Sequence, residues 1–170
     1  MNRIHSSGRR IPVVALALVS AVLTQPARAQ SKACALVTAA ELQSVLGAAV
    51  SGMTPSSMPG GSAELCTGQA SSYRIMLRLA KRSDPSGDKE AKGLAMAKQM
   101  GAQVEVKKFG DVTCSTFAPP ATMQQAGYNT TCSVLKNGQV GAIEITAQSQ
   151  SSMIPIDKLR PLAEKIAARF

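Results

Sequence analysis

The 170-residue chain has no tryptophan, two tyrosines, three phenylalanines and one histidine. Each shortage removes a class of function. The histidine is His5, inside a segment read below as a leader, so Ser-His-Asp and Cys-His catalysis would have no base in the mature protein. A zinc site would also want imidazole, and no two cysteines stand as CxxC, so neither a zinc ribbon nor a thioredoxin-like redox pair is indicated. Nucleic-acid binding uses basic residues interleaved with stacking rings. Here Lys81-Arg82 and Lys107-Lys108 are only short pairs, expected to be solvated strand ends. The glycine-rich stretch "PGGSAE" lacks the Lys-Ser/Thr that a phosphate loop needs. A Ser-Lys dyad has its S-x-x-K signature only as chance spacing. Glu105, Asp111 and Glu144 stand singly among polar or basic neighbours, as solvated surface charges do. No catalytic residue, metal ligand set or cofactor site emerges.

The first 29 residues have the three parts of a secretory leader. Arg3, Arg9 and Arg10 form a positive start, residues 11–23 an apolar run, and Ala27-Arg28-Ala29 supplies small residues for a cut before Gln30. At 1.5 Å per residue the apolar run reaches about 20 Å, short of the roughly 30 Å hydrocarbon core. The expected mature chain, residues 30–170, is a single domain with no membrane span. Four of the 19 basic residues leave with the leader and all ten acidic residues stay, so the net charge falls from +9 to +5.

Four cysteines remain: Cys34, Cys66, Cys114 and Cys132. An even count in an exported chain implies disulfides, because that compartment is oxidising. Cys34 does not abut the apolar run, and Pro26 and Arg28 interrupt the approach, so it is not placed for lipidation. Of the three possible pairings, Cys34–Cys66 with Cys114–Cys132 is favoured because each bridge joins sequence neighbours and closes locally. Each would contribute on the order of 3–4 kcal/mol.

Hydrophobic periodicity orders the rest. "TAAELQSVLG" has Thr38 and Glu41 spaced as a capping box, an apolar stripe of Leu42, Val45 and Leu46, and Gly47 as a stop. Residues 48–64 are rich in Gly, Pro and Ser and read as a short strand and a loop. "LCTGQA" and "SYRIMLRLA" follow as strands, the second with Tyr73, Ile75, Leu77 and Leu79 on one face. A helix beginning near Asp84-Pro85 or Asp88 ends at Gly101, with Ala91, Leu94, Ala95 and Met100 expected to face the core. "AQVEVKKF" and "GDVTCSTFAPP" read as strands. Two β-rich runs flank Asn137-Gly138, the strongest short hairpin signal, which would pair Lys136 with Gln139 and Leu135 with Val140. A last helix carries Ile156, Leu159, Leu162, Ala163 and Ile166, and Pro161 demands either a late start or a kink. The expected class is α+β: a mainly antiparallel sheet packed with about three helices and stapled by two disulfides.

"CALVTAAELQSVLG", Cys66, "FGDVTC" and "LAEKIAARF" resemble segments of a loose group of exported bacterial domains of unknown function. The chain is similar to the DUF3558-type and kinase-sensor-type ectodomains. The resemblance implies a PsbP/Mog1-like α/β sandwich and an envelope location, and it carries over no catalytic residue. Cys114 stands where the group often has a small residue.

These readings point to a periplasmic or extracellular binding or scaffolding domain without enzymatic activity. The expected contact surface is the open sheet face or the loops at residues 51–64 and 118–128. The partner would be an envelope protein, a wall component or a small ligand. Two other classes stay in view. One is a copper handler using methionine, since seven methionines lie beyond the leader and Met96 and Met100 sit one turn apart; the competing expectation is that this pair fills a core short of Phe and Leu. The other is a histidine-free hydrolase.

Overall fold

A computed structural model describes residues 31–82 and 88–169; the expected leader lies outside them. Seven antiparallel strands form one sheet in the order β1-β2-β3-β7-β6-β5-β4. The strands are β1 (Ser51–Ser57), β2 (Ala63–Ala70), β3 (Tyr73–Lys81), β4 (Gln103–Phe109), β5 (Val112–Ala118), β6 (Tyr128–Lys136) and β7 (Gln139–Ala147). Three α-helices accompany them among the described residues: α1 (Ala39–Leu46), α2 (Asp88–Gln99) and α3 (Ile156–Ala168). β1 to β3 form one meander. The chain then crosses to the far edge, and β4 to β7 run back until β7 pairs with β3.

Alternation along the strands decides which face becomes the core. Ile75, Leu77 and Leu79 of β3 share a face with Ile143 and Ile145 of β7, Cys132 and Val134 of β6, and Val112 and Cys114 of β5. That face is covered by Leu42 and Leu46 of α1 and by Ile156, Leu159, Leu162 and Ile166 of α3. The opposite face is uncovered by either helix. The hairpin between β6 and β7 has the expected register, Lys136 with Gln139 and Leu135 with Val140. Asn137 and Gly138 both take positive φ, as a two-residue turn matched to strand twist requires.

The helix ends are held by specific contacts. Thr38 and Glu41 form the capping box at the start of α1. Glu41 also receives Nη groups of Arg169 at 2.8 and 3.0 Å and Nζ of Lys165 at 3.1 Å, which ties α1 to the end of α3. The Arg169 hydrogen bonds, with the Thr38 N–H, hold the Glu41 carboxyl at about 2, so it is ionised throughout the neutral and mildly acidic range. Pro161 neither delays nor ends α3, which runs through it. Both Pro161 and Asp157, whose carbonyl loses its amide partner, are exposed, so water can satisfy that oxygen.

Helix α2 departs from expectation. Ala95, Met96 and Met100 are exposed, the two methionines at 62% and 55%, and Leu94 is only half-buried. The side chain of Ala91 and the Asp84-Pro85 start lie outside the described residues. The reason is geometric: α1 and α3 already occupy the apolar face, and α2 makes its main strand contact with edge strand β4. Met58 and Met123 are also exposed, whereas Met53 and Met153 are half-buried against the core.

Both expected disulfides form. Cys34–Cys66 links the segment before α1 to β2, and Cys114–Cys132 joins directly opposed residues of β5 and β6 beneath α3. Cys66, Cys114 and Cys132 are fully buried, and no described cysteine is free. Two such bridges fit an oxidising compartment, periplasmic or extracellular. No described helix is long and apolar enough to cross a membrane. Replacing Cys114 and Cys132 together by alanine is expected to cost about 3 kcal/mol in urea unfolding of the full chain. An unchanged urea midpoint would contradict a structural role for that bridge.

Candidate functional site

The face away from α1 and α3 is built of rows that are mostly polar, with Met76 and Phe117 as their apolar members. One row crosses the sheet as Gln69, Arg74, Thr146, Asn129 and Phe117. The next crosses as Thr67, Met76, Glu144, Thr131 and Ser115. The period-2 pattern that buries Ile143 and Ile145 necessarily sends Glu144 and Thr146 to this side. A cleft of about 590 Å³ lies over the two rows, between the β1 end at Ser51 and Gly52 and the end of a 3-10 segment at Ala126. The site joins the open face to Ala126 in the expected 118–128 loop; Ser51 and Gly52, expected in a loop over residues 51–64, instead belong to strand β1, which pairs with β2.

Three groups in the cleft are poorly satisfied. Asn129 Oδ1 is buried and receives no hydrogen bond. An unpartnered buried acceptor costs about 1–3 kcal/mol, so a native chain seldom keeps one without use. Arg74 makes no ion pair or hydrogen bond with any described residue. It also borders a second, smaller cleft of about 280 Å³ beside Gln125 and Gly127. Glu144 is half-buried, and burial pushes its carboxyl above the ordinary range; a hydrogen bond from Thr146 and the charges of Arg74 and Arg78 only partly oppose this. The expectation of a solvated surface charge at Glu144 is thus overturned. Its neighbours on β3 and β6 shield it where no helix does.

Two backbone features shape the walls. The β1–β2 register shifts between Ser51 and Thr54, a bulge at the cleft margin. Gly127 has φ +79, and a Cβ there would stand 2.5 Å from Thr146 Cγ2 and 3.9 Å from Arg74 Nη2. Glycine is needed here because a side chain would run into the Thr146 methyl and would be strained at this positive φ.

The other sites weighed in the sequence are not brought together. Ser133 and Lys136, spaced as S-x-x-K, lie on opposite sides of β6 by strand alternation; Ser133 donates to the Thr113 carbonyl and Lys136 Nζ to the Ala167 carbonyl. Glu105 pairs with Lys107 at 2.9 Å. Among the described residues, no three His, Cys, Asp or Glu side chains gather as a metal would need. Among the described residues that line the cleft, Glu144 is the one carboxylate. The four cysteines lie on the core side of the fold, away from it.

Comparison with family models, with curated proteins and with solved structures found no match to this chain.

The raised carboxyl of Glu144 has a stability consequence. The folded state penalises its charged form, so the cost is fully present above the folded pKa and relieved as pH falls below the ordinary 4.5. Glu144→Gln is therefore expected to raise the urea midpoint at pH 7, with the gain disappearing at pH values below 4.5. A lower midpoint at pH 7 would contradict the burial account.

Proposed function

We propose that this chain is a non-catalytic binding domain exported to the bacterial envelope, with its ligand seated in the cleft on the uncovered sheet face. The observation that carries the reading is the buried, unpartnered Asn129 oxygen in one cleft with Arg74, which makes no hydrogen bond or contact ion pair with a described residue, and the half-buried Glu144 carboxylate. Side chains placed at a cost to stability mark a surface kept for recognition. Export is supported by the leader pattern and the two bridges. Binding without turnover is supported by the sequence, which has no histidine beyond residue 5 to serve as a catalytic base.

A titration of isotope-labelled protein with peptides, wall fragments and sugars, followed by amide NMR shifts, tests this reading. Shifts centred on Gln69, Arg74, Asn129 and Glu144 are expected, with every probe recovered unchanged. Shifts confined to the surface of α1 and α3, or conversion of a probe, would overturn it.

A second reading gains from one observation. Met96 and Met100 are exposed one turn apart, so their thioethers are accessible to Cu(I). Titration with Cu(I) decides: micromolar binding lost in the double leucine variant favours copper handling, and no binding removes it.

A further inference from the structure

The unsatisfied groups of the cleft differ in what they need, and that difference specifies a ligand. Arg74 offers a charged donor fork that makes no hydrogen bond or contact ion pair with a described residue and feels Glu144 only as a nearby charge. Asn129 Oδ1 is a buried acceptor without a donor. Glu144 is an acceptor with one hydroxyl donor, Thr146. A neutral ligand would leave Arg74 unpaired as it loses water. A simple anion would meet Arg74 but set its lone pairs against Asn129 Oδ1 and Glu144. A simple cation would meet those two acceptors and be repelled by Arg74 and Arg78. A molecule with an acid at one end and a protonated amine at the other satisfies all of them.

We propose that the cleft binds a short peptide with free termini, its carboxylate on Arg74 and its ammonium shared by Glu144 and Asn129 Oδ1. This rests on the reading of the cleft as the binding site and names its ligand class. Register supplies the scale. Arg74 and Asn129 flank Thr146 on neighbouring strands, which puts their backbones about 10 Å apart. Two extended residues span about 7 Å, leaving room for side-chain reach at each end. The cleft volume of about 590 Å³ is that of a small-molecule site. Gln69 and Thr67 line the cleft and can hydrogen-bond the peptide linkage.

Calorimetry on the full chain with alanyl-alanine, its N-acetylated form and its C-amidated form tests the assignment. The free dipeptide is expected to bind best, with each blocked form weaker by about tenfold or more, the loss of one charge-assisted hydrogen bond. Arg74→Gln should make free and amidated forms bind alike, and Glu144→Gln should do the same for free and acetylated forms. Should Glu144→Gln not fold, Asn129→Ser reports the ammonium end by the same comparison. Equal affinity of all three forms for the unmodified protein, or no binding at millimolar peptide, would overturn the ligand class. If a neutral sugar or a dicarboxylate binds instead and Arg74→Gln weakens it, the ligand class falls and the cleft reading stands. If binding of every probe is indifferent to Arg74→Gln and Asn129→Ser, both fall.

Discussion

The structure depends on a one-sided burial. A sheet of seven strands has two faces, and only one of them carries a continuous apolar layer sealed by helices α1 and α3. Leu77, Ile143, Ile145 and Val134 are sealed against Leu42, Leu159 and Ile166 from the two covering helices. With no tryptophan and only five Tyr or Phe, no ring fills the centre of that layer. Aliphatic side chains and sulfur do the filling. Fully buried Cys66, Cys114 and Cys132 are core residues as well as cross-links, which couples the redox state of the chain to its packing.

The uncovered face follows from the same restriction. Once Ile143 and Ile145 point to the helices, Glu144 and Thr146 must point away, and the facing strands contribute Arg74, Arg78, Asn129 and Thr131 to the same side. A polar face of this kind needs no cover to be stable. It is nonetheless not a plain solvated surface, because the β1 bulge and the segment ending at Ala126 raise walls around its middle. Inside those walls the local balance of donors and acceptors is left open. The proposed peptide site is the completion of that balance by a ligand.

Much of the fold was legible in the residues. The Thr38–Glu41 box, the Asn137-Gly138 turn and the alternation from Tyr73 to Leu79 are local patterns whose physics needs no distant partner. The disulfide pairing followed from closeness along the chain. Helix α2 was less legible, because Leu94 and Met100 have helical spacing whether or not a core waits for them; what excluded them is that α1 and α3 fill the one apolar face. The cleft was legible only as a place. The open face and the loop at Ala126 were foreseen, but the margin at Ser51 and Gly52 is a strand and not a loop, and the burial of Glu144 depends on distant β3, where Met76 is its partner, and on β6 across the hairpin. The signal that could have found it is the run "GAIEITA", where Glu144 stands on the polar face of a strand whose partners carry arginines.

One-sided burial is tested most directly by solvent relaxation of methyl groups with a soluble, uncharged paramagnetic reagent. The account predicts strong relaxation at the Thr67, Thr131 and Thr146 methyls and protection at those of Leu77, Val134, Ile143 and Ile145. Equal protection of both sets would mean that something covers the second face and would contradict the account.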